Sequence, residues 1–273
     1  MSGRPARLLL NALLVGAAAL TLFPLLWMLS VSFMVSGEAS TLPPPLLPSH
    51  ATLANYDQLF GKQNIGRYLA NSLSLASLTT LLSLILNSAA GYAFAKLRFR
   101  GREVLLRILL AALVIPSQVV MLPLFLMMKW LGLVNTYAGV VVPAMAGIFG
   151  VFLVRQYALT IPDDLLEAAR IDGAGELRIF GSIVLPALRP ILVTLAVLTF
   201  LGSWNDFMWP LIVLTDQDLY TLPIALATLS REHVQDNELM MAGVVLTVLP
   251  VLLLFLALQR YYIRGILMGS VKG

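Results

Sequence analysis

The stretch EAARIDGAGELRIFGSIVLP, residues 167–186, is a helix-forming segment of mixed polarity between two long hydrophobic runs. Pro162, Asp163 and Asp164 precede it. They favour a helix start, because proline fits the first turn and acidic groups stabilise the positive end of the helix dipole. The GAG run at 173–175 breaks that helix. A second short helix follows, so the sequence predicts a helix–turn–helix connector outside the membrane.

The composition places the rest of the chain in a membrane. Of the 273 residues, 59% are hydrophobic and only 12% are charged, with a mean hydropathy of +0.88. Soluble domains carry roughly 25% charged residues. There is no cysteine, which excludes disulfides and thiolate metal sites. The net charge of +4 allows a nucleic-acid partner, but in a membrane protein it is more typical of basic loops on the cytoplasmic side.

Hydrophobic runs long enough to cross a bilayer predict an all-α polytopic membrane protein with six transmembrane helices. The first run follows Arg4 and Arg7 and is also compatible with a signal peptide, but it continues to Leu29, which favours a retained helix. Two proline-rich or acidic segments, 36–68 and 215–238, are predicted outer loops, and 160–190 is the connector defined above, here named the motif segment. We treat the whole chain, 1–273, as one transmembrane domain. The predicted spans are 8–28, 69–95, 104–128, 137–157, 191–214 and 239–259.

The basic residues set the orientation of these spans. If the N-terminus is cytoplasmic, only Lys62, Arg67, Lys129 and Arg231 fall outside. This asymmetry follows the positive-inside rule and predicts that both termini and the motif segment are cytoplasmic. The basic residues on the cytoplasmic side are Arg4, Arg7, Lys96, Arg98, Arg100, Arg102, Arg107, Arg155, Arg170, Arg178, Arg189, Arg260, Arg264 and Lys272.

The motif segment contains a spaced pattern: Glu-Ala-Ala, three residues, Gly, nine residues, then Ile-x-Leu-Pro. This pattern resembles the EAA loop of permease subunits from ABC importers. The resemblance implies a coupling helix that sits in a cleft of a separate ATPase. An ordinary amphipathic connector is the alternative for any single residue. Asp172 shares a helix face with Ala168 and Ala169 by its spacing. The residues assigned to ATPase coupling are Glu167, Ala168, Ala169, Asp172, Gly173, Ile183, Leu185 and Pro186.

Short pieces along nearly the whole chain resemble the MalG type, the second permease of the sugar-importer class. They include Gly91-Tyr92-Ala93-Phe94-Ala95, Trp204-Asn205-Asp206 and the C-terminal Ser270-Val271-Lys272-Gly273. The resemblance implies a MalG/MetI-like fold in the bacterial inner membrane. It implies that this subunit forms half of a path for a di- or oligosaccharide. The implied partners are a homologous second permease, two ATPase subunits, an extracytoplasmic sugar-binding protein and membrane lipid, with no nucleic acid.

Cofactor binding is expected to belong to the partners. The chain has no GxxxxGK[ST] phosphate loop, so ATP and Mg²⁺ are expected on the ATPase subunits and no cofactor or metal on this chain. By the same resemblance, the tail Ser270, Val271, Lys272 and Gly273 would contact the ATPase. Its simpler interpretation is a frayed end.

Polar residues within the hydrophobic spans are candidates for the translocation path, because polar groups in hydrocarbon must face protein or water. Thr80, Ser83 and Asn87 recur at three-to-four spacing and form one stripe. Close helix packing explains the same stripe and is the favoured interpretation. Gln118 lies near two prolines expected to kink the third span. Trp204, Asn205 and Asp206 carry a ring for sugar stacking and groups for hydroxyls, or else only shape the cavity.

Three other classes of protein remain as alternatives. A proton- or sodium-driven transporter is disfavoured, because Asp206 is the only acidic residue inside a predicted span. An ABC permease for another solute would keep the EAA pattern without the sugar-type pieces. A membrane enzyme lacks support from any His/Cys cluster or paired intramembrane carboxylates. The sequence does not identify the sugar, the partner subunits or whether this chain touches the sugar.

Overall fold

The structure is a computed structural model that describes the backbone of residues 4–232 and 236–270 and the side chains of 7–230 and 236–257. All regular structure in these residues is helical, as the sequence predicts. The α-helices are α1 Arg4–Val31, α2 Ala54–Gly61, α3 Ile65–Lys96, α4 Arg102–Ala112, α5 Ser117–Trp130, α6 Tyr137–Ala144, α7 Ile148–Ala158, α8 Asp163–Ile171, α9 Glu176–Ile179, α10 Leu185–Trp204, α11 Met208–Val213, α12 Leu222–Glu232 and α13 Asn237–Ser270.

Within the described residues, five stretches are long and apolar enough to cross a membrane, or six if the bent pair α4–α5 forms one span. The polytopic all-α fold is therefore confirmed. The first predicted span is the continuous helix α1, and the sixth lies within α13. The two predicted outer loops are not wholly irregular, since they contain α2 and α12.

The third predicted span, 104–128, is not one continuous helix. It consists of α4 and α5, which meet at an angle of 109° across residues 113–116. Pro116 is extended at the break (ψ 134°), as expected for a residue that lacks an amide donor and crowds the helix before it. The kink predicted at Pro116 is a complete break between α4 and α5. Pro123, by contrast, lies inside α5.

The fifth predicted span, 191–214, begins earlier and ends earlier than the sequence suggests. Helical structure runs from Glu176 through α9, a π-helical turn at Phe180–Val184 and α10 to Trp204. The second short helix of the predicted connector is therefore not a separate helix, because it continues into α10. Pro186 occupies the first turn of α10, where proline is tolerated. The chain then breaks at 205–207, and the short α11 carries the remainder.

The chain packs as two compact units, 1–66 with 225–250 and 67–224 with 251–273. In the first unit, the Asn55 amide donates to the carbonyls of Ser32 (3.0 Å) and Met34 (2.9 Å), which fixes the end of α1. In the second unit, one apolar cluster surrounds Val154 and Ile179, and another surrounds Met128 and Trp209. The first of these clusters supports the motif segment.

Candidate functional site

The first half of the motif segment is the helix α8, which begins directly after Pro162. Its carboxyl end closes by hydrogen bonds from the Gly173 amide to the Arg170 carbonyl (3.0 Å) and from the Ala174 amide to the Ala169 carbonyl (2.9 Å). Gly173 has φ +82°, a conformation that side chains with a Cβ rarely adopt. A Cβ built there would meet no atom within 4 Å, so the requirement for glycine is conformational rather than steric.

Helix α8 buries only one side chain, that of Leu166. Ala169 is half-buried, while Glu167, Ala168 and Asp172 are exposed. The Glu-Ala-Ala part of the pattern therefore presents one carboxylate and small side chains at the surface, where another backbone can approach closely.

Two large apolar side chains beside this surface are almost fully exposed. Ile171 at the end of α8 is 86% exposed, and Leu177 in α9 is 88% exposed. Ile171 lies in the short polar helix α8, outside the stretches long enough to cross a membrane, whereas Leu177 is the second residue of the apolar stretch Glu176–Trp204. Exposed apolar groups on a polar segment are typical of a surface that a protein partner covers. Sequence analysis did not single out either residue.

The second half of the pattern lies where the motif segment passes into α10. Ile183 lies in the π-helical turn and packs on the cluster that contains Val154, Ile179 and Val184. Leu185 is half-buried, and Pro186 is exposed in the first turn of α10. Of these three residues only Pro186 adds to the exposed surface, and the assignment of all three to ATPase coupling stays a prediction.

One end of the motif segment is held by a lysine of α3. The Lys96 ammonium donates to the Ile161 carbonyl (2.6 Å) and to Asp163 Oδ1 (2.7 Å). The Lys96 side chain is only 6% exposed. The hydrogen bond from Lys96 lowers the pKa of the Asp163 carboxyl, and the charge of Lys96 adds to the effect.

The far end of α8 is held by a shared carboxylate, that of Glu176. Tyr92 of α3 donates its hydroxyl to Glu176 Oε2 (2.8 Å), and Arg170 Nε donates to Glu176 Oε1 (2.7 Å). The hydrogen bond to Glu176 raises the pKa of the Arg170 guanidinium. From the sequence, Tyr92 was noted only as part of the piece 91–95 that resembles the MalG type. No contact was predicted for Lys96 or Glu176. Their spacing of four residues along α3 was the available signal for Tyr92 and Lys96.

A cavity of about 770 Å³ opens beside α8, lined by Lys96, Arg98, Arg102, Glu167 and Arg170 among others. Its lining is mostly charged, unlike the apolar pockets that hold small organic ligands. Among the described residues, no group of three or more His, Cys, Asp or Glu side chains is arranged to hold a metal ion.

The stripe of polar residues in α3 is largely buried inside the subunit. Asn87, 1% exposed, donates to Ser83 Oγ (2.7 Å), and Ser83 lies 3.5 Å from the Thr199 hydroxyl. Thr80 is half-buried and donates to the carbonyl of Ala76 (2.6 Å). A Cβ on Gly150 of α7 would lie 2.5 Å from the Asn87 amide nitrogen, so these helices are in close contact at this point.

The remaining candidates for the path do not form one cluster. Gln118 is exposed in the first turn of α5. Trp204 is 1% exposed and stacks on Phe200, with ring centroids 5.9 Å apart. Asn205 is exposed, and Asp206 accepts a hydrogen bond from the Trp209 amide (3.3 Å). One face of the Trp204 ring is therefore covered by Phe200, and the assignment of Trp204, Asn205 and Asp206 to the path stays a prediction.

The structure describes little of the C-terminal tail. Ser270 is the last residue of α13, and its side chain is not described. Val271, Lys272 and Gly273 lie outside the described residues, so their assignment to an ATPase contact stays a prediction.

The start of the acidic outer segment is anchored by side chains that sequence analysis did not assign. Asn135, at φ +60°, accepts from the amides of Thr215 and Asp216 (both 2.9 Å). Arg67 pairs with Asp218, and Asn71 donates to the carbonyl of Asp218 (2.9 Å). The start of this segment is therefore fixed by side chains of α3 and by Asn135, and it is not a free connector.

Comparison with known proteins gives consistent results. Residues 87–268 match the family model described as "Binding-protein-dependent transport system inner membrane component". The chain is 42% identical to the arabinooligosaccharides transport system permease protein AraQ of Halalkalibacterium halodurans, covering 94% of this chain and 93% of that protein. It is 37% identical to AraQ of Bacillus subtilis, with 98% and 96% coverage.

The fold is also found among solved structures. A chain from the crystal structure of a bacterial ABC transporter involved in the import of the acidic polysaccharide alginate superposes with a TM-score of 0.84, at 24% identity. The match covers 96% of this chain and 99% of the other. At this identity the likeness shows the shared fold.

Proposed function

The chain belongs to the family of binding-protein-dependent transport system inner membrane components, and on that premise we propose that it couples ATP hydrolysis by a separate subunit to the import of an oligosaccharide. It is a permease and not an enzyme, like the relatives that match it. In this proposal it forms half of the path together with a homologous second permease. Two ATPase subunits and an extracytoplasmic sugar-binding protein complete the importer, and ATP and Mg²⁺ bind the ATPase.

The observation that carries the proposal is the exposed surface of the motif segment. Glu167, Ala168, Ile171 and Leu177 offer a carboxylate, a close-approach site and two uncovered apolar groups within a short stretch. An ATPase that moves this surface must bind it tightly and must push on something stiff. The segment is stiffened by the buried Leu166, by the turn at Gly173 and by the hydrogen bonds from Tyr92 and Lys96 of α3.

The surplus of basic residues around the motif segment supports a cytoplasmic position for it and for both termini, because ATP is available there. The family description supports an inner-membrane location. The acidic outer segment, anchored by Asn135 and Arg67, would then face the binding protein on the opposite side.

The solute class is inferred from the relatives. Two of them are named for the transport of arabinooligosaccharides, and both are aligned with nearly the whole chain. Arabinotriose is therefore the first probe for uptake.

The experiment is affinity purification of the tagged chain from its native membrane in mild detergent, followed by mass spectrometry. We expect a second permease and a P-loop ATPase to copurify, and we expect Gly173→Trp to lose the ATPase while keeping the permease. Gly132→Trp is the matched control, because Gly132 also has positive φ (+70°) and open surroundings but lies in a predicted outer turn. Copurification of the ATPase with both variants, or with neither, would contradict the proposal.

A further inference from the structure

We propose that Tyr92 and Lys96 of α3 are positioning residues that hold the two ends of α8 in the motif segment, so that α3 moves with the segment when the ATPase moves it. The inference rests on the proposed function and adds the element inside the membrane that receives the motion. It concerns a link within this subunit rather than the contact with the ATPase.

The geometry places both residues on one face of α3. Tyr92 and Lys96 are four residues apart in the last turns of the helix, which aligns their side chains. Lys96 reaches the start of α8 through Ile161 and Asp163. Tyr92 reaches the start of α9 through Glu176. The two contacts therefore bracket α8 from opposite ends.

Both contacts use groups that are withdrawn from water. Tyr92 is 3% exposed, and the Lys96 side chain is 6% exposed. A buried polar group that loses its partner is costly, because water does not replace the lost hydrogen bond. These contacts resist separation more strongly than a typical exposed ion pair. The side chains of their partners, Asp163 and Glu176, remain accessible to solvent.

Helix α8 has few other attachments. It buries only Leu166, which packs in the same apolar cluster as Tyr92, Ile161 and Ile179. A nine-residue helix held at one buried side chain would be free to rock. The hydrogen bonds from Lys96 and Tyr92 at its two ends restrict that motion. Arg170 strengthens the second tie, because it binds the other oxygen of the Glu176 carboxylate.

Helix α3 is itself braced next to these residues. A Cβ added to Gly91 would lie 2.6 Å from Val154 Cγ1 and 3.0 Å from the Arg155 amide nitrogen. The Arg155 side chain also donates to the Phe94 carbonyl (3.3 Å). Displacement of the motif segment is therefore passed to a pair of helices in contact, α3 and α7, rather than absorbed locally.

The test uses the complete importer reconstituted in liposomes, with arabinotriose as the transported sugar. The variants are Lys96→Glu, Asp163→Lys and the double exchange. The measured quantity is the amount of sugar transported per ATP hydrolysed. We expect each single variant to lower this ratio by roughly twofold to thirtyfold, the range for residues in a coupling network. We expect the double exchange to recover much of it, although it does not restore the bond from position 96 to the Ile161 carbonyl.

Tyr92→Phe gives a second and milder test, since it removes only the hydroxyl that binds Glu176. It is expected to lower the same ratio with normal membrane insertion and normal ATPase copurification. A ratio equal to that of the unaltered importer in all single variants would overturn the inference. So would a parallel fall of transport and hydrolysis with no change in the ratio, which is the signature of a purely structural role.

The two proposals fail in different ways. If the unaltered complex shows no ATP-driven uptake, or if Gly173→Trp leaves the ATPase bound, the proposed function fails. If the unaltered complex is coupled and the exchange of charges at 96 and 163 shows no rescue, only the positioning role of Lys96 fails.

Discussion

The motif segment and the polar stripe of α3 place the same kinds of residue in opposite environments. In the motif segment, the large apolar side chains of Ile171 in α8 and Leu177 in α9 are almost fully exposed. In α3, the polar side chains of Ser83 and Asn87 are buried in a hydrophobic helix. Each is unusual for its surroundings. The exposed apolar groups indicate a surface completed by another protein, whereas the buried polar groups have most of their partners inside the subunit.

The largest effect is expected from the exposed apolar groups of the motif segment. The double variant Ile171→Asp, Leu177→Asp should abolish copurification of the ATPase. Binding would require the removal of water from two carboxylates at the interface, which is unfavourable. Membrane insertion should not change, since neither side chain packs inside the chain. Leu42→Asp is the matched control, as Leu42 is 95% exposed on the predicted outer side. Equal ATPase recovery from the double variant and the control would remove the contrast between the two regions.

The next effect concerns how tightly α3 packs on α7. Gly91→Ala should destabilise the folded chain by about 1–3 kcal/mol, because the added methyl group overlaps Val154. The measurement is the midpoint of thermal unfolding in detergent. Gly202→Ala in α10 is the control, since no atom lies within 4 Å of a Cβ built there and alanine favours the helix. A Gly91→Ala chain as stable as the control would show that α3 and α7 are not in close contact.

Asn87 distinguishes packing from a role in the path. Asn87→Leu should lower the unfolding midpoint, because the hydrogen bond to Ser83 is lost, and leave the KM for arabinotriose uptake unchanged. Asn205→Ala is the comparison, because that side chain is exposed in the break after α10. A change in KM at Asn87 that matches or exceeds the change at Asn205 would place the stripe on the path instead.

The smallest effect is a pH dependence at the rim of the motif segment. Lys96 lowers the pKa of Asp163, so Asp163 keeps its charge to lower pH in the folded chain than in the unfolded one. Its stabilising contribution is fully present above the unfolded value near 3.9 and is lost as the pH falls through the lower folded value. Asp163→Asn should therefore flatten the fall of the unfolding midpoint between about pH 5 and pH 3. If the unfolding midpoint depended on pH in the same way in both proteins, the interaction between Lys96 and Asp163 would be contradicted.

Much of the architecture was predictable because it depends on length and composition. The apolar runs and the helix start at Pro162 required only local rules, and the break at Gly173 is present with the expected positive φ. The spans that were misplaced depend on backbone geometry that composition does not carry. Residues 113–115 are as apolar as their neighbours, yet the chain turns there because of Pro116. The π-helical turn at Phe180–Val184 has no sequence signature, so the early start of α10 was missed.

The candidate site was predictable in part for a similar reason. The spaced pattern located the motif segment, but it did not separate Ala168, which is exposed, from Ile183, which packs inside. The hydrogen bonds from Lys96 to Asp163 and from Tyr92 to Glu176 join residues 67 and 84 positions apart. The spacing of Tyr92 and Lys96 places them on one face of α3, but a single sequence does not show which distant residues they contact. The stacking of Trp204 on Phe200 follows from their spacing of four residues in α10, whereas the burial of Trp204 depends on tertiary packing that the sequence does not show.

The most direct test of the central claim is site-specific photo-crosslinking in intact membranes. A photoreactive amino acid is placed at position 171 or at position 42, and crosslinked partners are identified by mass spectrometry. We expect a crosslink from position 171 to a P-loop ATPase and none from position 42. Absence of an ATPase crosslink at 171, with the chain correctly inserted and the importer assembled, would contradict the claim that the motif segment is the surface on which the ATPase acts.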